Sequence, residues 1–204
     1  MVQPEAEMGL IRMLAEDLRT VVDRDPSVHD RAEALLHPAL PALWTHRVAH
    51  RLHRRGLRRT ARLLSLLARG WTGVELHPGA VVGRRVLIDH GSGVVVGETA
   101  VIGSDVTMYH QVTLGALGWW RDNGREAGER RHPIIGSHVV LGANATVLGP
   151  VTVGDRAVIG AQALVIRDVL ADTHALAPAA VSMPGADRRS AVELMRTSAS
   201  AGCW

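Results

Sequence analysis

From Leu10 to Val22 the apolar residues Ile11, Leu14, Ala15, Leu18, Val21 and Val22 recur at steps of three and four, which predicts an amphipathic helix that stops at Asp25-Pro26. Two more helical segments follow. Pro41 suits the first turn of one and Gly56 its C-terminal cap, and the other runs from Leu57 through Leu67 and closes at Gly70. Past Gly73 the period changes to six. Aliphatic side chains fall at Leu76, Val82 and Ile88, at Val96, Ile102, Met108 and Leu114, and again at Ile135, Leu141, Val147, Val153, Ile159 and Val165. A small or β-branched residue stands two places before most of them, as at Ala80, Val86, Val106 and Ala157, and glycine often follows, as at Gly83, Gly103 and Gly154. This is strand-like alternation over very short stretches, with tight corners between them. Strands so short cannot bury a face alone, so they must stack coil upon coil into a solenoid of hexapeptide repeats.

Two interruptions break the repeat. One is a two-residue insertion near Ser92-Gly93, and the other is the segment 116–133, which holds Trp119, Trp120, Gly118, Gly124 and Gly128 among alternating charges. Loops thrown out of a rigid repeat are where sites are commonly built. Trp119 and Trp120 either cover a cofactor there or anchor the loop on a neighbouring surface. The expected organisation is α+β: a helical subdomain over 1–73, a parallel β-helix over 74–170 with a loop excursion at 116–133, and a C-terminal tail over 171–204.

Composition narrows the function classes. The apolar runs are too short to span a bilayer, and Met1 to Leu18 carries acidic residues where a secretory signal has a basic start, so a cytoplasmic protein is expected, with no membrane partner. The lone Cys203 cannot form an internal disulfide, in keeping with a reducing compartment. All 23 basic side chains are arginine, and Arg47 to Arg69 is strongly basic. These arginines interleave with Leu and Ala at helical spacing, which predicts a solvated or partner-contacting helix face and no nucleic-acid site. His46, His50 and His53 sit at helical spacing as for a metal, but no carboxylate completes a coordination set, so no metal is expected.

The stretch "LHPGAVVGRRVLIDHGSGVVVGETAV" from Leu76 to Val101, with "RRHPIIG" at Arg130 to Gly136 and "GANATVLGPVTVGDRAVIGA" at Gly142 to Ala161, resembles the serine acetyltransferase family. The hexapeptide component is shared by many acyltransferases. The Asp-His-Gly run followed by Gly-Glu-Thr-Ala is more specific, and "LWTHRVAHRLHRRG" is similar to the family's helical region. The resemblance implies a left-handed β-helix, against the usual right-handed crossover. It implies acetyl transfer from acetyl-CoA, as co-substrate with no tightly bound cofactor, to the hydroxyl of L-serine, the first step of cysteine synthesis. Such a transfer needs a base with a pKa near the working pH. By resemblance that base is His90, with Glu75 as the carboxylate that orients it; a spacing of fifteen residues lets the two sit on adjacent coils along one edge. The same resemblance gives Asp25 and Asp89 to the substrate ammonium, Arg131 and His132 to its carboxylate, and Gly115, Ala116, Ala143 and Ala161 to the pantetheine arm. Asp25 with Pro26 also reads as an ordinary helix stop.

Family relatives pack three prisms into a trimer with sites between subunits, so a homotrimer is expected first and a hexamer second, His90 of one chain working with His132 of the next. Two departures matter. The family's usual Gly-Gly-Thr-Gly is here Gly115-Ala116-Leu117-Gly118, which loosens the assignment of the acceptor, and the chain ends in Trp204 where some relatives carry the isoleucine that docks into O-acetylserine sulfhydrylase, so that complex is not expected. Rival readings are an acyltransferase for another hydroxyl or amino acceptor, a zinc-dependent β-helix carbonic anhydrase, and a non-catalytic assembly module.

Overall fold

The structure is a computed structural model that describes residues 9–122, 124, 126 and 128–179. The side chain of Trp119, and both Cys203 and Trp204, lie outside the described residues. Four helices come first: α1 (Leu10–Arg24), α2 (Arg31–Ala34), α3 (Leu40–Arg54) and α4 (Arg58–Thr72). The apolar stripe of α1 ends at Asp25, whose backbone is extended, as the following proline demands. The short α2 escaped the periodicity reading; it is one turn, started by the Asp30 carboxylate accepting from the Glu33 N–H. Pro41 lies in the first turn of α3. Helix α4 does not close at Gly70 as expected. Gly70 stays helical, and the left-handed residue that ends the helix is Gly73, at φ +71°, whose N–H bonds back to the Arg69 carbonyl.

From Glu75 the chain winds as a three-sided solenoid of parallel strands. Face A stacks β1 (Glu75–Leu76), β4 (Val95–Val96), β7 (Thr113–Gly115), β10 (Thr146–Leu148) and β13 (Leu164–Val165). Face B stacks β2 (Val81–Val82), β5 (Val101–Ile102), β8 (Ile134–Ile135) and β11 (Thr152–Val153). Face C stacks β3 (Leu87–Ile88), β6 (Thr107–Met108), β9 (Val140–Leu141), β12 (Val158–Ile159) and β14 (His174–Ala175). A short helix, α5 (Trp119–Asp122), lies in the loop between β7 and β8. The pairing of β14 with β12 carries face C to Ala175, past the expected boundary at 170.

The six-residue aliphatic positions become the inward columns. Ile88, Met108, Leu141 and Ile159 stack on face C, each fully buried, and the matching columns of the other faces complete one continuous core. A buried arginine joins two helices to each other and to the first coil. Arg47 reaches Asp17 of α1 through Nε (3.2 Å) and Nη2 (3.1 Å) and also donates to the carbonyls of Val82 and Gly83. Burial lifts the Asp17 carboxyl above its usual range, against the pull of Arg47. Arg47 is therefore not part of a solvated basic face, as its sequence setting suggested; its charge is spent inside the molecule.

Candidate active site on two edges of the prism

The edge between faces C and A carries His90. Its corner is widened by the two extra residues: Leu76 pairs with Val96, twenty positions on, whereas Val96 pairs with Leu114, eighteen on. His90, Gly91 and Gly93 all take left-handed backbone, at φ +58°, +67° and +75°. Gly91 is needed there, since a Cβ would meet the Val74 side chain at 2.8 Å. The bulged corner pushes His90 outward until 77% of its side chain is exposed, with Nε2 3.8 Å from Asp89 Oδ1.

The helical layer delivers two further groups to this corner. Asp25 accepts from the N–H and hydroxyl of Ser27 at 2.9 and 2.7 Å, which holds its carboxyl below the usual range. His37, unnoticed in the sequence, is buried with its Nε2 3.7 Å from Asp25 Oδ2. Atoms of Asp25, His37 and Asp89 all lie within 4.8 Å of one another, the one such His and carboxylate grouping with metal-like spacing among the described residues. The signal that could have found His37 is its place one residue before Pro38, in the connection that brings the helical layer over the corner.

Register extends the same edge upward. Two positions past Ile88, Met108, Leu141 and Ile159 stand His90, His110, Ala143 and Ala161, so the expected base and two expected pantetheine contacts share one column. The His90 and His110 rings meet edge-on with centroids 6.1 Å apart. Ala143 and Ala161 are tied together by the Gln162 N–H donating to the Ala143 carbonyl (2.9 Å).

The edge between faces A and B carries Arg131 and His132. Thr99 organises it: its Oγ1 accepts from the backbone N–H groups of Arg131 (2.9 Å) and His132 (3.1 Å) and lies 2.8 Å from His132 Nδ1. The Thr99 N–H also donates to Nδ1 (3.2 Å), so this network assigns Nδ1 as acceptor and leaves Nε2–H as donor. The ring lies against Gly97, where a Cβ would stand 2.0 Å from it. Burial and the Arg131 charge lower the His132 pKa, opposed by Asp122 and Glu98. Arg131 itself pairs with Glu98 at 2.8 Å. Gly115 also sits on this edge, paired with Leu148, and Leu117 covers Gly149 in the next coil.

A single chain thus gathers Asp25, Asp89 and His90 at one edge and Arg131 and His132 at another. It does not join the two sets. Nor does it pair Glu75 with His90: the Glu75 carboxylate is held by Arg69 at 2.9 Å, and Asp89 is the carboxylate beside the His90 ring. An open cleft runs along the second edge past Glu98, Thr99, Asp122 and Arg131, and His90 does not line it. The helical histidines are engaged in packing. His46 and His50 stack at 5.7 Å, His50 Nδ1 meets the Pro78 carbonyl at 2.9 Å, and His53 turns edge-on to His77.

Parallel strands of two or three residues on three faces, with corners bearing histidine and carboxylate, define a hexapeptide-repeat transferase. The family model described as "Bacterial transferase hexapeptide (six repeats)" matches residues 132–167. The serine acetyltransferase of Helicobacter pylori is 48% identical over 157 residues, covering 76% of this chain and 88% of that protein. Among solved structures, the Neisseria gonorrhoeae serine acetyltransferase in complex with serine aligns with a TM-score of 0.73 and 34% identity, over 86% of this chain and 67% of its own. The Brucella abortus serine acetyltransferase in complex with coenzyme A aligns with a TM-score of 0.75 and 33% identity, over 84% of this chain and 66% of its own. The chain belongs to the serine acetyltransferase family. It spans about two thirds of the length of the two solved chains.

Proposed function

We propose that this protein transfers acetyl from acetyl-CoA directly to the hydroxyl of L-serine, giving O-acetyl-L-serine for cysteine synthesis, with His90 as general base. The observation that carries the reading is the convergence of His90 with the Asp89 and Asp25 carboxylates on one outward corner. An imidazole is the side chain that can take a hydroxyl proton near neutral pH, and two carboxylates beside it suit an α-ammonium. In the transfer, an unprotonated ring nitrogen of His90 accepts the hydroxyl proton as the serine oxygen bonds to the thioester carbonyl carbon. The tetrahedral oxyanion then collapses, the C–S bond breaks, and the leaving thiolate recovers the proton from the imidazolium. Backbone N–H groups along the edge steady the oxyanion. No covalent enzyme intermediate is involved. Glu75 serves as the partner of His90 by releasing or sharing its contact with Arg69.

The acceptor's carboxylate is met by Arg131 and by the His132 Nε2–H, and the pantetheine arm runs along Ala143 and Ala161 with Gly115 and Ala116 on the facing edge. Because these groups occupy two edges of one prism, the complete site is formed between chains of a homotrimer of left-handed prisms, the C–A edge of one meeting the A–B edge of the next. The exposure of His90 in a single chain supports this. We place the trimer in the cytoplasm; among the described residues no helix is long and apolar enough to cross a membrane.

The test is thiol release from acetyl-CoA with serine and a panel of hydroxyl acceptors. Turnover with serine, abolished in a folded His90→Ala variant, is expected. Turnover with another acceptor but none with serine removes serine from the proposal, and unaltered turnover in the variant removes His90.

A further inference from the structure

His37 has no part in the acetyl transfer just described, yet it is 95% buried and aimed at the acceptor corner. The Ala39 N–H donates to its Nδ1 (3.3 Å), so in the neutral ring the proton sits on Nε2 and points toward Asp25. The other Asp25 oxygen is held by Ser27. The charged and titratable groups that face His37 are Asp25, Asp89 and His90.

Spacing and the proton on His37 Nε2 together decide what fits between the members of the trio. Acceptors at about 2.8 Å around an ammonium nitrogen stand about 4.6 Å apart in tetrahedral geometry. Ligands at about 2.1 Å around zinc stand about 3.4 Å apart. His37 Nε2 lies 3.7 Å from Asp25, close to the zinc value, but the proton on Nε2 removes the lone pair a metal needs; the acceptors left for an ammonium are the Asp25 and Asp89 carboxylates, which lie within 4.8 Å of each other.

We propose that His37 is a positioning and gating residue of the acceptor pocket. Its neutral Nε2–H steadies Asp25 opposite Asp89 as a cradle for the α-ammonium of the amino-acid acceptor, and its protonated form takes the place of that ammonium as the carboxylates' counter-ion. The proposal rests on the reading of Asp25 and Asp89 as the ammonium site. Burial holds the His37 pKa below the ordinary histidine value, so the open form prevails at neutral pH and the gate closes on acidification.

The experiment measures KM for serine, KM for acetyl-CoA and kcat between pH 5.5 and 8.5 in the full-length protein and in His37→Leu, His37→Gln and Asp89→Asn, with thermal melting to check folding. His37→Leu should raise the serine KM about threefold, as for loss of a dipole that faces the Asp25 carboxylate at 3.7 Å, with kcat within twofold. His37→Gln keeps an N–H but cannot charge. It should hold the wild-type serine KM at neutral pH and lose the rise in KM on the acid side. If both His37 variants follow the wild type at every pH while Asp89→Asn raises the serine KM, the His37 proposal falls and the pocket stands. If Asp89→Asn leaves the serine KM unchanged, the pocket reading falls and takes the proposal with it. Loss of kcat in step with the rise in KM in His37→Gln marks a merely structural role and overturns the proposal. So does tight inhibition by zinc chloride that is competitive with serine and lost in His37→Gln, which makes the trio a metal site.

Discussion

The two edges of the prism hold a histidine each, in opposite settings. His90 stands on a widened left-handed corner, its ring largely in solvent beside carboxylates. His132 lies in a slot that exists because residue 97 has no side chain, with its Nδ1 occupied by Thr99 and its free proton fixed on Nε2. One is arranged to exchange a proton and the other to donate a fixed hydrogen bond. The cleft along the second edge is open and His90 does not line it, so a water-excluding site that uses both histidines has to be made where two such edges face each other. The contrast therefore predicts an enzyme whose parts are complete in each chain but assembled only between chains.

Mixing variants tests that most severely. His90→Ala should lower kcat by about 10²–10⁴-fold, the range for loss of a general base. His132→Ala should be defective through the other edge. Co-refolded as mixed trimers from equal amounts, the two should regain about a quarter of the sites, since each site needs an intact His90 from one chain and an intact His132 from its neighbour. No recovery on mixing, with trimers formed, breaks the two-chain site.

The next effect falls on one edge alone. Arg47 rivets the layer that supplies Asp25 and His37, whereas the His132 slot is built by Gly97 and Thr99 of the solenoid. Arg47→Met leaves Asp17 as an unpaired buried charge and should cost about 3–5 kcal/mol in urea unfolding, with Asp17→Leu in the same chain recovering most of it. Residual activity of Arg47→Met should show a raised serine KM and an unchanged KM for acetyl-CoA. An equal rise in both says that the helical layer supports both edges.

A smaller change strikes the other edge. In Gly97→Ala the new methyl occupies the space of the His132 ring, which has to leave its slot. The serine KM should rise about tenfold, as for one lost hydrogen bond to a charged group, while the acid limb of kcat keeps its wild-type position. Wild-type kinetics in this variant would mean that His132 does not read the acceptor.

The repeating part of the molecule was legible because each aliphatic position repeats one structural role: Ile88, Met108, Leu141 and Ile159 announce a column, and the extra residues at Ser92-Gly93 announce the widened corner. The helical layer was legible only in its stripes. Its connections were not, because α2 is a single capped turn and His37 gains meaning only from the solenoid corner it covers. Arg47 read as surface for the same reason: charge spacing along a helix says nothing about a carboxylate buried thirty residues earlier. The site residues came from motif resemblance, which also set His90 of one chain against His132 of the next; which edge carries each was not legible, because edge membership depends on register. The altered Ala116-Leu117 pair gains a physical sense as well, since Leu117 covers Gly149 of the neighbouring coil.

The smallest expected effect decides whether acid loss of activity belongs to the edge or to the scaffold. His46 is a buried residue of α3, and burial pushes its pKa down to about 3 from the ordinary 6.5. Between those values the unfolded chain binds a proton that the folded chain refuses, so stability is full above pH 6.5 and drains as the pH falls toward 3. At pH 5.5 this amounts to about 1 kcal/mol from His46 alone. His77, lowered to about 4 by burial, adds in the same direction. The unfolding free energy of the wild type in urea should therefore drop between pH 7.5 and 5.5, and that of His46→Leu should drop less, by about 1 kcal/mol. Activity should fall on the acid side equally in both, because a general base acts only unprotonated, whatever happens in the scaffold. If the activity of His46→Leu instead persists to lower pH along with its stability, the acid limb reports the scaffold, and the proton-exchanging role assigned to the exposed edge loses its kinetic signature.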